Sequence, residues 1–488
     1  MTKYLYMNNK KVLSNLLWRF TERCGAQVIQ FVVQIVLARL LAPEAYGTIA
    51  IVVVIANIFQ VFVDSGLGNA LIQKKDADDL DFSSVFYFNV ACCLILYGVV
   101  FFTAPLISNF YNIPELTPIV RVLCLTIVVS GLKNVQQAYV SKTLQFKKFF
   151  WATLIGTLIS AAVGIGMAYL GFGVWALVAQ RLTNLVIDTL AIWLFVAWRP
   201  KLMFSFDRLK GLISYGWKLL ASAVLDTVYN NLWQMIIGKV YTKSDLAYYN
   251  QGNQFPNVIV TNINASIDSV LLPVMSNEQD DTNRVRLMTS RAIKTSTYLM
   301  SPLMMGLAFT ADSVVEILLT EKWLPCVMFL RIFCITYMFY PIHTANLNAI
   351  KALGRTDMFL KLEIAKKCVG LVLLIVSVRI SVEAMAYSLL ISSVCSQIIN
   401  AWPNRKLLGY SYTQQIRDIL PNIALAVFMG VVVYAVHFLR LRPFITLIIQ
   451  VPLGVLVYFV GSIITKNSSF IYLLGIVKPA LSKITKRG

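Results

Sequence analysis

The chain predicts an all-α polytopic membrane protein of about 14 transmembrane helices, and three observations carry that prediction. Of 488 residues, 58% are hydrophobic and 14% charged, with a mean hydropathy of +0.70, too apolar for a soluble domain with a polar surface. Apolar runs of roughly 20 residues, long enough to cross a bilayer, recur along the whole length. Basic residues alternate between connections, as expected when successive runs cross in opposite directions.

The net charge of +20 would suit a nucleic-acid partner in a soluble chain. Here it marks topology instead, and no nucleic acid is expected. Lys3, Lys10 and Lys11, then Lys74 and Lys75, then Lys142, Lys147 and Lys148 occupy every second connection. Arg199, Lys201, Arg208 and Lys210, Arg284 and Arg286, Lys351 and Arg355, Arg405 and Lys406, and the tail with Lys483, Lys486 and Arg487 continue the series. The intervening connections are poorer, with Arg39, Lys239, Lys243, Lys322, Arg440 and Arg442 as the main exceptions. The positive-inside rule places both termini in the cytoplasm.

The first run, from about Val12 to Leu41, carries Arg19, Glu22 and Arg23. Each would cost roughly 2.5–3.5 kcal/mol facing lipid, so the three together face something else. At the helical period Arg19, Arg23, Gln30 and Gln34 share a wedge of about 60 degrees, flanked by Glu22 and Gln27. A water-filled cationic cavity accounts for that face; a membrane-edge position or a packing salt bridge is the alternative. Charges interrupt the run and no small-residue cleavage site follows, so it reads as a membrane helix rather than a signal peptide.

Helix 2 follows LAPEAYG at 41–47 and runs to about Leu71. QKKDADDLDF at 73–82 lacks calcium-loop spacing and reads as a solvated helix start. Helices 3 to 6 span about 83–109, 118–139, 149–170 and 173–198. In helix 6, Arg181 and Asp188 either pair or line a cavity, and Arg121 and Arg331 suit snorkelling or a cavity equally. GFGVW at 171–175 joins two membrane helices with no preceding strand, so it is a tight turn and not a nucleotide loop. The loop WRPKLMFSFDRLK at 198–210 separates two halves.

The halves repeat. Arg121, Val122, Leu123, Cys124, Leu125 and Thr126 recur as Arg331, Ile332, Phe333, Cys334, Ile335 and Thr336, 210 positions later. Nearer the starts the offset is about 200: VLARLLAPEAYG at 36–47 parallels IIGKVYTKSDLA at 236–247. Six helices separate equivalent points, so two six-helix lobes related by a pseudo-two-fold along the membrane normal are expected. Helix 7 leads the second lobe, with Lys218, Ser222, Asp226, Tyr229, Asn230 and Trp233 within about 120 degrees. Lys218 corresponds to Arg19 and Ser222 to Arg23. Helices 8 to 12 fall at about 248–275, 292–318, 325–349, 357–379 and 382–402, and helices 13 and 14, at about 418–439 and 443–465, lie outside the repeat. The expected division is 1–200, 201–404 and 405–488.

The eight cysteines form no CxxC pair, and His343 and His437 lie in different helices. The cysteines read as small buried hydrophobes, and neither metal nor cofactor is expected.

ALIQKKD at 70–76 followed by FYFN at 86–89, LQFKKFF at 144–150, GFGVWALV at 171–178 and AYYNQGNQFP at 247–256 together resemble the Wzx-like polysaccharide exporters and lipid-linked oligosaccharide flippases, in the lipopolysaccharide and colanic-acid exporter branch. The resemblance covers essentially the whole chain. It belongs within the MOP superfamily, which also holds MATE antiporters and the lipid II flippase. What it implies is two six-helix lobes around a central cavity, alternating access, and an undecaprenyl-diphosphate-linked oligosaccharide as cargo: an O-antigen, capsule or exopolysaccharide repeat unit. It implies a place in the bacterial cytoplasmic (inner) membrane and transport rather than enzymatic chemistry. Its implied partners are membrane lipid, a coupling ion (H+ or Na+) and polysaccharide assembly proteins.

Arg19 and Arg23 match the place of cavity arginines in the lipid II flippase, and helices 13 and 14 resemble its two extra helices, which form a lipid-tail groove. Trp233 stands where many related exporters have an Asp, so that acid's role does not transfer. The residues expected to bind substrate are Arg19, Arg23 and Lys218, with Glu22 and Asp226 orienting them or coupling an ion. Gln30, Gln34, Ser222 and Asn230 are expected to line the cavity. The rivals are a cation-coupled MATE-like antiporter, which would want an acidic cavity, and a membrane glycan polymerase or ligase, which would want a large outer loop.

Overall fold

The computed structural model describes residues 25, 27–64 and 67–475, and all regular structure among them is helical. The first eight elements are α1 (Gln27–Leu40), α2 (Pro43–Asp64), α3 (Leu67–Gln73), α4 (Asp79–Tyr111), α5 (Leu116–Leu123), α6 (Leu125–Thr143), α7 (Phe146–Tyr169) and α8 (Val174–Phe195). Then come α9 (Phe206–Val240), α10 (Lys243–Asn277), α11 (Thr282–Phe309), α12 (Ala311–Leu319), α13 (Cys326–Met338) and α14 (Tyr340–Ala352). The last are α15 (Thr356–Ser377), α16 (Val382–Leu407), α17 (Tyr412–Ala435) and α18 (Pro443–Ile464).

Ten spans among the described residues are long and apolar enough to cross a membrane, and α11 with α12, bent by 68°, makes an eleventh. The chain is therefore a multi-pass membrane protein. The described part of α1 is short, while α9 and α15 have the length of a span but carry several charges. With these three, the expected fourteen helices are accounted for.

Contacts divide the chain into residues 1–247 and 248–488. In the first unit α4 packs on α5 and α6, α6 on α8, and α7 along α8. The α7–α8 pair is close because α7 presents small residues to it. A Cβ on Gly164 would lie 2.7 Å from Gln180 Cβ, and one on Gly156 would lie 3.0 Å from the Asn184 carbonyl. In a bilayer, where burying apolar surface between helices gains little, such close backbone approach is what holds helices together.

The start of α4 is built differently from the expected solvated segment. Asp78 caps the helix, with a reciprocal bond from its own backbone N–H to Asp81. Asp81 is fully buried and takes the Lys74 ammonium at 2.6 Å. The cause is a cover formed by the connection after α8. Trp198 Nε1 donates to Asp79, Gln136 donates to the Trp198 carbonyl, and the Lys201 and Ser205 N–H groups donate to the Ser83 and Ser84 hydroxyls. A burial this complete requires the ion pair, because an unpaired carboxylate there would be costly. The connection at 198–205 is thus fixed against α4.

α9 packs on α2, α3 and α4 within the first unit, so contacts place the division after Ala247, whereas the sequence repeat suggests one near residue 200. The turn beyond α9 also meets the start of α2: Ser244 Oγ donates to Glu44 at 2.7 Å, and Lys243 pairs with Glu115 at 2.5 Å.

In the second unit α11 packs on α13 and α14, and α15 on α16, the counterparts of the pairs in the first. The repeat extends to single bonds. Arg121 Nε donates to the Phe101 carbonyl and Arg331 Nε to the Ala308 carbonyl, both at 3.2 Å. Both arginines are therefore tethers between helices. α17 packs along α11 and is bound to the bundle by Asn346, Gln415 and Asn404, whose side chains join at 2.6–3.0 Å. Tyr298 and Ser462 tie α18 to α11 at 2.8 Å. Of the described cysteines, Cys93, Cys124, Cys326 and Cys334 are buried as expected, Cys92 and Cys395 are half-buried, and Cys368 is exposed.

Candidate functional site

Polar residues on four apolar helices of the first unit converge on a cavity of about 310 Å³. α1 supplies Gln30 and Gln34, one turn apart. α2 supplies Asn57 and Gln60 on the same face, and α6 adds Thr126 and Ser130. α8 contributes Gln180, Arg181 and Asn184. The spacings of three and four residues put each set on one helix face. Among the described residues that line the cavity, Arg181 carries the only charge.

The α7–α8 packing orients this last set. Asn184 Nδ2 donates to Ser160 and Thr157 at 3.2 and 3.4 Å, which fixes α8 in rotation and directs the neighbouring Arg181 to the cavity. Arg181 is open to it and forms no ion pair with a described carboxylate. Asp188, two turns further on, does not pair with Arg181. It takes Lys133 of α6 at 2.5 Å, with both side chains largely buried. Sequence spacing left an intrahelical pair or a cavity position open, and the α6–α8 contact gives Asp188 to Lys133 instead.

Gln30 and Gln34 are where the polar wedge placed them. Arg19, Glu22 and Arg23 lie outside the described residues, and only the backbone of Lys218, in α9, is described. Ser222, Asp226 and Asn230 lie on an exposed face of α9 and are not among the cavity's lining residues. Sequence reasoning missed Lys133, Asn57, Gln60, Gln180 and Asn184 as site or support residues. The signal for all of them was present: amides and one cation at helical spacing inside apolar runs.

The lining offers paired donors and acceptors from side-chain amides and one planar cation. Such a surface can hold a hydroxyl-rich or anionic ligand, and among the described lining residues there is no carboxylate to attract a cation.

The family described as Polysaccharide biosynthesis protein matches residues 36–328. The chain is similar to the lipopolysaccharide biosynthesis protein WzxC of Escherichia coli (strain K12), 23% identical over 87% of this chain and 88% of that one. It is 24% identical to the succinoglycan biosynthesis transport protein ExoT of Rhizobium meliloti (strain 1021), over 65% of this chain, and the match spans only 64% of that protein. Among solved structures, the lipid II flippase MurJ in an inward closed conformation matches with a TM-score of 0.74 at 17% identity, covering 92% of this chain and 98% of that one. That likeness establishes a shared fold.

Proposed function

We propose, because the chain belongs to the polysaccharide biosynthesis protein family, that it is a transporter that carries a lipid-linked oligosaccharide across the bacterial cytoplasmic membrane. The cargo in this reading is an undecaprenyl-diphosphate-linked repeat unit, moved from the inner to the outer face by alternating access of two lobes. No covalent step is needed, so the protein is not an enzyme. Both termini are cytoplasmic, and an ion gradient or the membrane potential biases the cycle. Arg19, Arg23 and Lys218 hold the diphosphate, while Glu22 and Asp226 orient those groups or couple H+ or Na+. The lipid chain stays in the bilayer.

The observation that carries the reading is the cavity: a chamber whose described lining residues bring amides, hydroxyls and one guanidinium together within a membrane-spanning bundle. Hydrocarbon-facing helices do not keep such groups without a polar ligand or water to meet them. A cation-coupled drug exporter would instead want carboxylates in that lining.

Complementation of a flippase-deficient strain, with analysis of its lipid-linked intermediates, tests this. Arg19→Ala and Arg23→Ala should stop glycan export while membrane levels stay normal, and Arg23→Lys should rescue only in part, because lysine lacks the two-point fork. Losing one charge-assisted contact should weaken cargo binding about ten- to a hundredfold. A packing salt bridge would instead make Glu22→Gln as damaging as either arginine change, with expression failing. Abundant and fully active alanine variants would remove the cationic site.

A further inference from the structure

We infer that His343, in the second unit, binds the coupling proton, that Asn400 accepts the hydrogen bond of the protonated ring, and that Lys366 ties proton binding to the position of α15. The inference deepens the transport reading, rests on it for the cargo, and within it decides for H+ over Na+.

His343 lies one turn into α14, just past the break at Phe339 that divides the span Cys326–Ala352. Both sides of its ring are held by α16, on which Ser393 and Asn400, two turns apart, share a face. Asn400 Nδ2 is 3.0 Å from His343 Nδ1, and the Ser393 hydroxyl is 3.4 Å from Nε2. An amide nitrogen only donates, so Nδ1 accepts and the ring is the neutral form with its hydrogen on Nε2. Asn400 is fully buried, and its Oδ1 has no hydrogen-bond partner among the described residues. A buried acceptor left so is costly and calls for an account. Half a rotation of the amide brings Oδ1 to the place of Nδ2, where it accepts from a proton newly bound at Nδ1. One side chain thus serves both charge states of the ring.

The charges around the ring couple the proton to helix position. α15 carries Glu363 and Lys366 in mid-span, paired at 2.5 Å, with the side chains only 29% and 14% exposed. Lys366 lies within electrostatic reach of His343. Glu363 lies within reach of Tyr340, whose ring is 5.4 Å from the imidazole, and Tyr337 of α13 meets Tyr340 edge-on. On α11, Lys294 is taken by Asp418 and Tyr298 by Ser462. Glu363 balances one cation, so an imidazolium adds an unbalanced positive charge beside Lys366, which a membrane bundle tolerates poorly. Proton binding at His343 therefore favours an arrangement in which α15 has carried Lys366 away. A ligand that prefers one arrangement over the other is what coupling requires. Sodium does not suit these groups: a hard cation wants several oxygen ligands, whereas the carboxylate here is already held by Lys366 and the atom facing Asn400 is a nitrogen.

The chain has two histidines, His343 and His437, so the full-length His437→Gln protein labelled with 15N-histidine reports a single imidazole by NMR in lipid nanodiscs. The spectrum should show the Nε2–H tautomer at pH 8 and the doubly protonated ring on acidification to pH 5. Asn400→Leu, which removes the acceptor, should lose the doubly protonated signal at pH 5, and Asn400→Asp, which keeps an acceptor there, should retain it. Transport is read in proteoliposomes with an undecaprenyl-diphosphate-linked disaccharide. With one proton exchanged per cargo, a gradient of one pH unit supports about a tenfold cargo ratio in favour of the leaflet on the acid side. His343→Gln and Asn400→Leu should leave that ratio near one, His437→Gln should keep it, and a sodium gradient should not produce it.

A ring that stays neutral down to pH 5, or that protonates equally well in Asn400→Leu, overturns the inference. So does a cargo ratio that follows sodium, or one that His343→Gln leaves intact. Should Asn400→Leu fail to fold, the ring's own titration and the His343→Gln ratio still decide. The two readings fail separately: a ring that takes its proton through Asn400 while cargo crosses under no gradient keeps the proton site and removes transport, and cargo that crosses without responding to pH keeps transport and removes the coupling site.

Discussion

Replacing Lys133 with methionine isolates the buried ion pair that the α6–α8 contact creates. Lys133 Nζ lies 2.5 Å from Asp188 Oδ2, and the side chains are only 13% and 9% exposed. At an effective dielectric of about 20 the attraction at that distance is about 7 kcal/mol before desolvation is subtracted. Desolvation removes most of it, so the pair's net contribution is small, but breaking it strands Asp188. Asp188 Oδ1 already lacks a hydrogen-bond partner, so no local donor takes over. The expected cost of Lys133→Met is about 3–5 kcal/mol. For a unit of this size that lowers Tm by roughly 6–20 °C, read by thermal unfolding of the purified protein in nanodiscs. The double variant Lys133→Met with Asp188→Leu should recover most of the loss, since it removes the stranded charge as well as the pair. A Lys133→Met protein as stable as the unmodified one, or a double variant less stable than the single, would refute the reasoning.

Three further outcomes concern topology and the turn after α9. An impermeant thiol reagent added to intact spheroplasts should modify a cysteine at Asn112 but not one at Leu202, which is 98% exposed and so is protected only by the membrane; the reverse pattern would invert the orientation. A Cβ on Gly47 would lie 1.9 Å from the Lys243 carbonyl, so Gly47→Val should part the two turns and raise labelling of a cysteine at Ser244. Spin labels at Pro43 and Lys243 should show a cargo-dependent change in separation, and one fixed distance under all conditions would count against rocking.

Sequence alone located the membrane helices, because a bilayer of fixed thickness demands apolar runs of fixed length, but not all their bounds: α11 begins at Thr282 rather than near 292, and α2 ends at Asp64 rather than near Leu71. It also determined the polar wedge of the first helix at Gln30 and Gln34, since helical period decides which residues share a face. The internal repeat was legible in six consecutive residues, and the matching tethers of Arg121 and Arg331 show what that run builds. What period cannot decide is which helix a face meets. Arg181 and Asp188 lie two turns apart on α8, and an intrahelical pair or a cavity position satisfied the sequence equally. Only the packing of α6 brought Lys133 to Asp188 and left Arg181 to the cavity. The acidic segment before α4 looked solvated because its burial comes from residues 198–205, more than a hundred positions away. Partner choice between distant segments is a property of tertiary contacts, and in this chain those contacts decide which buried charges are structural and which face the cavity.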